Sequence, residues 1–573
     1  MANFFEDNKD IQFHLEQTNL DDVISKLENN FTQSKLYDYA PRNHKEARRS
    51  YIEALKVAGE ITGSTVAANA EGVDEEGCHF NNGDVQYASG TKQNMSLLLG
   101  ADLGGITLPR LYGGLNFPTT VSTMIIEMVS RADASLMNLI GLQDIGETIN
   151  EFADEDIKAK YLPMFTKGEV TGAMILTEPD AGSDLQAVQT KAVLDEKTGE
   201  WKLYGVKRFI TNGCADISLV LARSEVGSKD GRGLSMFLIE KDKTVQIRRI
   251  ENKHGIHGSP TCEMQFNGTK ALLIGKRRMG LIRYVMALMN GARVAVSAQG
   301  LGIAEAAYRE ALKYAKERVQ FGSPIIDFPA VYDMLTWMKV QVEGGRAIMY
   351  ETCKYVDLKK VYTALNEHEP DNKEYKDLAK KYGALAALLT PMSKAYATEM
   401  CNRVTYDAVQ IHAGTGFMKE FPVERLSRDA RITNIYEGTT QLQVIAAIGS
   451  ILNGTYEELL KEDYDTISFP TELHNLRETL SSMRSILNKC INVISESSTD
   501  KEFMNYYSRN LVDMATELLI GYRLLQFGIH NEHKREVAKL FIEKAFANAL
   551  KLSEPVMKKN KTAIDSRDII LEL

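Results

Sequence analysis

The 573-residue sequence has no hydrophobic run long enough to span a membrane, and its acidic N-terminus lacks the apolar stretch of a signal peptide. It contains six cysteines and no Cys-x-x-Cys pair, which argues against the common zinc and redox motifs. Scattered cysteines in a large chain are typical of buried thiols in a reducing compartment. We therefore expect a cytoplasmic protein without integral membrane association.

Nucleotide-binding and metal-binding signatures are also missing. No Gly-x-Gly-x-x-Gly follows a predicted strand and no Gly-x-x-x-x-Gly-Lys-Ser/Thr occurs, which argues against a Rossmann cofactor site and a P-loop. The pairs His254/His257 and His530/His533 lack further ligands at metal-site spacing, so we expect no metal there. The net charge of −9 argues against general nucleic-acid binding, but it is compatible with a phosphorylated small ligand at a local basic site.

The composition is that of an ordinary globular protein, 44% hydrophobic and 25% charged, and it is arranged in helical and β-prone blocks. Helical periodicity dominates both ends, for example at Tyr51, Leu55 and Ala58. Short β-prone segments recur at regular intervals after Thr171, which predicts an α+β fold with a small β-sandwich or barrel between helical regions. The predicted segments are an N-terminal extension (1–45), an N-terminal α-helical domain (46–170), a middle β domain (171–280), a C-terminal helical bundle (281–452) and a C-terminal helical extension (453–573).

Three short segments carry polar residues in patterns that suit ligand binding, although each is weak alone. Thr177–Asp184 is dense in turn residues and hydroxyls, which suits either a surface turn or a loop that binds a polar ring or a phosphate. Phe209–Gly213 ends a β-prone segment with a similar mix. Glu317–Gly322 ends a predicted helix at a glycine, where Arg318 favours either a simple C-cap or a bound pyrophosphate.

The segment Ile435–Gln443 holds the principal catalytic candidate. Glu437 precedes Gly438, which lets backbone approach a ligand closely, and Thr439 is placed to begin the helix that follows. A carboxylate in such an elbow suits a base that removes a carbon-bound proton beside a carbonyl. The alternative is an ordinary helix start with an acidic residue near the positive end of the helix dipole. Taken alone, the segment favours this second interpretation, because helix caps vastly outnumber active sites.

Five segments taken together reverse that preference. They are Leu176–Asp184, Phe209–Gly213, Arg318–Gly322, Gln410–Glu424 and Ile435–Gln443. In order and spacing they resemble the acyl-CoA dehydrogenase family. The resemblance implies an acyl-CoA dehydrogenase-like α+β fold, with an N-terminal helical domain, a middle β-sandwich or barrel and a C-terminal four-helix bundle. The N-terminal extension, the polar insertion near Asn366–Lys376, the helical tail after residue 450 and the stretch Lys253–Cys262 resemble the long bacterial subgroup of that family. From the residues themselves, we expect a polar, charged linker between the two long predicted helices Val331–Leu358 and Lys376–Gln410.

The resemblance implies FAD as the cofactor and an acyl-CoA as the substrate. The implied FAD-binding residues are Leu176, Thr177, Ser183, Phe209, Thr211, Arg318, Gln320, Gln410, Gly414, Thr439 and Gln441. The implied substrate-binding residues are Ser183, Asn290, Arg293, Tyr436 and Gly438. Asn290 departs from the Asp that many members carry, and Pro329 stands where several members have a polar FAD contact.

The implied reaction is the α,β-dehydrogenation of an acyl-CoA thioester to a trans-2-enoyl-CoA. Glu437 is the implied α-proton base, since Ala292 stands at the alternative base position and has no acidic group. The hydride goes to flavin N5, and an electron-transfer flavoprotein is the implied acceptor. Three alternatives remain: an acyl-CoA oxidase that reduces oxygen to peroxide, a non-catalytic acyl-CoA-binding flavoprotein, and a related flavoenzyme of non-CoA substrates, which the Arg293 match disfavours.

The resemblance also bears on assembly. Arg318 and Gln320 correspond to residues that reach the FAD of a neighbouring subunit, which implies a homo-oligomer. The helical tail is placed where it would hinder the tetramer of shorter members, so we expect a dimer rather than a tetramer. The sequence does not predict the length, branching or thioether content of the acyl group.

Overall fold

The computed structural model describes residues 2–497 and 499–573. The chain forms two compact units, each built from two stretches of sequence. The first unit comprises Met1–Ala307 and Ala413–Thr433, and the second comprises Tyr308–His412 and Asn434–Leu573. The five predicted segment boundaries stay a prediction.

Helices predominate in the second unit and form a large part of the first. In chain order they are α1 (Lys9–Gln17), α2 (Asp21–Leu27), α3 (His44–Ile61), α4 (Ala67–Glu76), α5 (Ser89–Gly100), α6 (Thr119–Ala132), α7 (Ala134–Gly141), α8 (Ile145–Phe152), α9 (Glu155–Thr166), α10 (Met286–Glu317), α11 (Pro329–His368), α12 (Lys373–His412), α13 (Pro422–Thr433), α14 (Thr440–Leu452), α15 (Thr455–Asp463), α16 (His474–Glu496), α17 (Lys501–Phe527), α18 (Glu532–Met557), α19 (Thr562–Asp565) and α20 (Arg567–Ile570). The predicted periodicity in α3 is confirmed, because Tyr51, Leu55 and Ala58 are all buried.

The strands lie mainly in the first unit. In chain order they are β1 (His79–Asn81), β2 (Asp84–Gln86), β3 (Gly172–Ile175), β4 (Lys191–Asp195), β5 (Glu200–Thr211), β6 (Ile217–Arg223), β7 (Leu234–Glu240), β8 (Val245–Ile250), β9 (Thr261–Leu273), β10 (Val319–Gln320) and β11 (Ser323–Pro324). Strands β3 to β9 form one sheet, in which β6 pairs with both β4 and β7. The ring β6–β4–β5–β9–β7 is therefore closed, as the barrel alternative predicted, and β3 and β8 flank it.

The closed sheet separates two hydrophobic cores. Successive side chains of a strand point to opposite faces, and in β6 Val220 packs in the core of the barrel beside Phe237. Its neighbour Leu219 belongs to the second core, which also includes Ile149 of α8 and Phe165 of α9. Both cores are closed to water, which leaves the loops at the strand ends as the exposed, ligand-accessible part of this domain.

In the second unit, the long helices α11 and α12 pack along each other. The polar stretch near residues 366–376, expected as a linker, is mostly helical, and the break between the helices covers residues 369–372. The helices hold together there because the ring of Tyr362 lies 6.2 Å from that of Tyr375 and 5.4 Å from that of Tyr382, measured between centroids. Aromatic contacts thus replace the expected loop.

Helices α16 to α18 of the tail pack on one another, and α17 lies against α11 and α14. A buried ion pair joins α18 to α11: Lys534 Nζ lies 2.7 Å from Glu343 Oε2, and their side chains are 3% and 1% exposed. Lys339 and His533 also pair with Glu343, at 3.2 and 2.7 Å. The tail is therefore an integral part of the second unit.

This attachment predicts a stability effect. Glu343→Gln removes the counter-charge of buried Lys534, and we expect the free energy of unfolding to fall by about 3–5 kcal/mol in a denaturant titration followed by helical circular dichroism. The double variant Glu343→Gln/Lys534→Met removes both charges and should recover part of that loss. Glu554→Gln, which breaks an exposed 2.7 Å pair with Lys558 on α18, is the control and should change little. Equal effects of Glu343→Gln and the control would contradict the inference.

Candidate active site

The first predicted loop follows β3 and is fastened to β5 by a buried lysine. Lys207 Nζ donates to the carbonyl of Leu176 at 2.7 Å and lies 2.9 Å from Glu178 Oε1. The Lys207 side chain is fully buried and that of Glu178 is 8% exposed. The backbone N–H of Arg208 also donates to the carbonyl of Thr177, at 3.0 Å. Leu176 and Thr177, two predicted FAD-binding residues, are therefore held by consecutive residues of β5.

Glu178 anchors the other side of this loop. Its carboxylate accepts backbone N–H groups of Gln189 at 2.7 Å and Thr190 at 2.9 Å. Burial opposes ionisation, but the Lys207 charge and these N–H donors outweigh it, so the pKa of Glu178 is lowered. Burial conversely lowers the pKa of Lys207 to about 8, even though Glu178 favours its charged form. The loop is thus pinned from both sides, while Ser183 further along it is exposed.

Phe209 stands at an irregularity near the end of β5. The pairing of β5 with β9 shifts register between Lys207 and Ile210, and Phe209 has a φ of 60° in the left-handed region. An aromatic residue is a genuine outlier there. The conformation leaves its ring 52% exposed, with the Arg208 guanidinium 4.6 Å from the ring centroid. Backbone strain of this kind clusters at functional sites.

The predicted substrate residues of α10 meet each other in the structure. Arg293 Nη1 donates to Asn290 Oδ1 at 3.0 Å, one helical turn away. Arg293 is 7% exposed, so its buried charge depends on such partners. Gly414, a predicted FAD residue, belongs to the same unit and follows Ala413, whose φ is 53°. A Cβ placed on Gly414 would have no atom within 4 Å, so the backbone there is open to a ligand.

In the second unit, the chain makes a tight elbow just before α14. Glu437 and Gly438 are both left-handed, with φ of 53° and 89°. The buried Lys394 donates to the Gly438 carbonyl at 2.7 Å. Gln443 Nε2 donates to the same carbonyl at 2.8 Å and to that of Glu437 at 3.2 Å. These bonds fix the backbone of the elbow that carries the half-buried Glu437.

The start of α14 differs in one detail from the expected cap. Thr439 is the N-cap residue, but its side chain makes no capping hydrogen bond. The next hydroxyl, that of Thr440, donates to Glu399 Oε1 at 2.6 Å instead. The Thr439 side chain is half-buried, and Gln441, the second residue of the helix, is exposed. The side chain of Thr439 is therefore not committed to capping.

The segment with Arg318 is a small hairpin and not a glycine-capped helix end. Helix α10 stops at Glu317, and β10 and β11 pair around a turn at Phe321 and Gly322, whose φ values are 50° and 85°. Arg318 and Gln320 are exposed on this hairpin, and Phe321 is 97% exposed. Gly322 is therefore a hairpin-turn glycine, which corrects the capping alternative. Gln410 lies in the same unit, exposed near the end of α12.

The structure brings together some predicted residues and adds others. Within the first unit it joins the Thr177 loop to the Phe209 segment through Lys207 and Glu178, which sequence reasoning missed. The sequence does contain an indication of this pair. Lys207 lies four residues after Leu203 in β5, so both side chains point to the same face, and Leu203 lies in the barrel core. A lysine that points into a core requires a buried partner. No comparable sequence feature indicates that Lys394 binds the Gly438 carbonyl.

Within residues 2–497 and 499–573, no group of three or more His, Cys, Asp or Glu side chains is placed to hold a metal ion. His257 lies 2.9 Å from Asp74 and His533 lies 2.7 Å from Glu343. No helix in these ranges combines the length and apolarity needed to cross a membrane.

Comparison with known proteins places this geometry in a family. Four models match successive parts of the chain: the acyl-CoA dehydrogenase N-terminal domain (55–169), middle domain (173–269), C-terminal domain (282–451) and C terminal (452–562). The 3-methylmercaptopropionyl-CoA dehydrogenase of Ruegeria pomeroyi is 35% identical over 439 residues, which are 70% of this chain and 72% of that protein. The chain therefore belongs to the acyl-CoA dehydrogenase family.

Solved structures agree with this assignment. An acyl-CoA dehydrogenase from Bacillus anthracis, complexed with FAD, is 24% identical and shares the fold with a TM-score of 0.77 over 91% of this chain and 90% of its own. A chain from the electron transferring flavoprotein study of Acidaminococcus fermentans is 31% identical, with a TM-score of 0.60 over 70% of this chain and 97% of its own. The predicted fold class and enzyme class, a flavin-dependent oxidoreductase, are confirmed, and FAD is the cofactor of this family.

The loops of the first unit have the chemistry that FAD requires. The isoalloxazine ring of FAD is flat and has polar atoms along its edges. In the sequence, the exposed Phe209 lies between Thr177 and Thr211, which both carry hydroxyl groups and are both half-buried. The Phe209 ring supplies an apolar face, and backbone bonding between β5 and the loop fixes the spacing. The residues present therefore fit the cofactor.

The buried pair of Lys207 with Glu178 predicts that removing the lysine charge destabilises the protein and weakens FAD retention. Lys207→Met leaves Glu178 buried beside an apolar side chain, so we expect the free energy of unfolding to fall by about 3–5 kcal/mol and FAD retention to fall with it. Lys207→Met/Glu178→Gln should recover part of the stability. Lys270→Met breaks an exposed 2.9 Å pair with Glu200 and is the matched control. A Lys207→Met protein as stable as this control, with the same FAD content, would refute the role of the pair.

Proposed function

We propose that this protein oxidises the Cα–Cβ bond of an acyl-CoA thioester, giving a trans-2-enoyl-CoA, with Glu437 as the α-proton base. The observation that carries the proposal is the left-handed conformation of Glu437 on an elbow held by Lys394 and Gln443. Such strain persists only where the surroundings over-determine it. A strained carboxylate on a fixed base suits proton abstraction, because the base must hold its position relative to the substrate.

The residues divide the chemical work as follows. The thioester carbonyl acidifies the α-carbon, and the Glu437 carboxylate takes the α-proton. The Glu437 backbone N–H donates to the thioester oxygen, where negative charge develops as the proton leaves. FAD, when bound, accepts the hydride from the β-carbon. Tyr436 and Gly438 border the acyl group, and Arg293 with Asn290 contributes to the CoA side, as the family resemblance implies.

Proposed cofactor contacts occur in each unit. Leu176, Thr177, Ser183, Phe209, Thr211 and Gly414 are the proposed FAD contacts of the first unit. Gln410, Thr439 and Gln441 are those of the second. The side chain of Thr439 supports this assignment, since it makes no capping bond. The open backbone at Gly414 supports it as well.

We further propose a homodimer in which Arg318 and Gln320 contact the FAD of the partner subunit. Their exposure on the β10–β11 hairpin supports this role, because an exposed Arg on a short turn suits a pyrophosphate on another molecule. The proposed electron acceptor is an electron-transfer flavoprotein, which the similarity to a chain from the Acidaminococcus fermentans study supports. A cytoplasmic location stays a prediction from the sequence.

The base assignment predicts that Glu437→Gln binds FAD normally and loses acyl-CoA-driven bleaching of the flavin. The amide keeps the size of the side chain but cannot accept the α-proton, so the anaerobic bleaching rate should fall by roughly 100-fold or more. Glu458→Gln, an exposed substitution in α15, is the control and should bleach at the wild-type rate. If Glu437→Gln also bleached at that rate, another group would be the base.

The assembly predicts that Arg318→Gln/Gln320→Ala weakens FAD binding. Removing a charge-assisted hydrogen bond costs about 1.5–3 kcal/mol, so the FAD Kd of reconstituted protein should rise by roughly 10- to 100-fold. The dimer, measured by light scattering, should persist. Lys316→Gln, an exposed substitution just before the hairpin, is the control for lost positive charge. An unchanged Kd in the double variant would exclude contact of these residues with FAD.

The proposed electron route is distinguished from the oxidase alternative by reaction in air. With acyl-CoA and oxygen alone, a dehydrogenase of this kind should form little peroxide per turnover. Adding an electron-transfer flavoprotein should restore turnover. Stoichiometric peroxide without an added acceptor would replace the proposed route with acyl-CoA oxidase activity.

A further inference from the structure

Three thiols that are far apart in sequence lie together in the first unit. Cys78, Cys214 and Cys262 are all free cysteines. The Cys214 and Cys262 thiols lie within interaction range, because each shifts the pKa of the other. The Cys78 side chain is close enough to interact electrostatically with both. No sequence motif indicates this cluster, because its members lie on three separate segments of the chain.

The backbone presses the Cys214 turn against β9. Cys262 opposes Ile210 in the pairing of β5 with β9, and the chain turns back through Gly213 a few residues later. A Cβ built on Gly213 would lie 2.8 Å from the Cβ of Cys262 and 3.4 Å from its Sγ. Real Cβ atoms essentially never approach another heavy atom that closely, so glycine is needed here. The close approach brings the next residue, Cys214, to the Cys262 side chain.

The two thiols differ in exposure and in acidity. Cys214 is half-buried, whereas Cys262 is fully buried. Cys214 Sγ lies 3.5 Å from Asn212 Oδ1 and 3.7 Å from Tyr87 Oη. The interaction with Cys262 lowers the pKa of Cys214 against the effect of burial, and the same interaction, together with burial, raises the pKa of Cys262. An accessible thiol beside a protonated neighbour is the arrangement of an attacking and a resolving cysteine.

We propose that Cys214 and Cys262 form a peroxide-sensitive dithiol that closes to a disulfide bond. The Cys214 thiolate attacks hydrogen peroxide, an S–O bond forms, the O–O bond breaks, and hydroxide leaves and is protonated to water. Cys262 then loses its proton and attacks the Cys214 sulfur; an S–S bond forms, the S–O bond breaks, and a second water leaves. Two thiols lose two electrons in total and one peroxide is reduced to two waters.

A disulfide bond at this position should affect the nearby segment Phe209–Gly213. An S–S bond of about 2.05 Å is much shorter than a non-bonded separation of two sulfurs, so closure draws the Cys214 turn towards β9. The Gly213 backbone, which packs too closely against Cys262 to admit a Cβ, is part of this turn. We expect the shift to reach Thr211, two residues earlier. Under the proposed function Thr211 contacts FAD, so oxidation should speed FAD release. This effect on FAD rests on the proposed function, whereas the disulfide bond itself does not.

The test treats the FAD-loaded full chain with a slight molar excess of hydrogen peroxide, quenches it, and counts thiols after denaturation. The count should fall from six to four, and peptide mass mapping should find Cys214 joined to Cys262. A thiol reductant should restore all six. FAD release is followed by flavin fluorescence in the same samples.

Matched variants separate this dithiol from general oxidation. Cys214→Ser should keep all five remaining thiols at this dose, whereas Cys262→Ser should lose only the Cys214 thiol, as an unresolved sulfenic acid, and Cys490→Ser, in the second unit, should still lose two. A bond from Cys78 to either partner, or oxidation of Cys214 to a sulfinic acid without a bond, would overturn the proposal. The wild-type map is decisive even if a variant fails to fold. A mapped Cys214–Cys262 bond with FAD fully retained would support the dithiol and overturn the consequence for the cofactor.

Discussion

The organisation of the first unit's loops depends on one buried ion pair, Lys207 with Glu178. Each partner joins two segments: Lys207 reaches the Leu176 carbonyl after β3, and Glu178 accepts N–H groups just before β4. Both charges are nearly closed to water, so each depends on the other for compensation. The pair therefore couples the folding of the barrel to the placement of the loop that carries Thr177.

In the second unit the corresponding constraint is conformational. A non-glycine residue in the left-handed region costs on the order of 1–3 kcal/mol, and Glu437 is such a residue. Two donors, Lys394 and Gln443, bind the carbonyls of the elbow and offset that cost. Each unit thus uses a buried lysine to fix a backbone carbonyl. These carbonyls lie in segments that carry residues with a proposed role in catalysis or cofactor binding. The side chains that act are positioned by bonds to the main chain.

The sequence predicted what depends on local pattern and motif. It predicted the helical periodicity of α3, the strand-rich middle region and the elbow at Glu437. It did not predict the partner of Lys207 or the approach of Cys214 to Cys262, because both depend on register between segments that are distant in the chain. It also misjudged the stretch before Lys376, where polar composition suggested a loop and aromatic packing around Tyr362 extends the helices.

The central claim is that this chain dehydrogenates acyl-CoA thioesters. The most direct test is an anaerobic single turnover of the FAD-loaded wild-type protein with a panel of acyl-CoAs, including a methylthio-substituted one, with flavin absorbance and product mass recorded together. The account predicts that at least one thioester bleaches the flavin while a product lighter by two hydrogens appears at the same rate. A flavin that dithionite reduces but no thioester bleaches would contradict it.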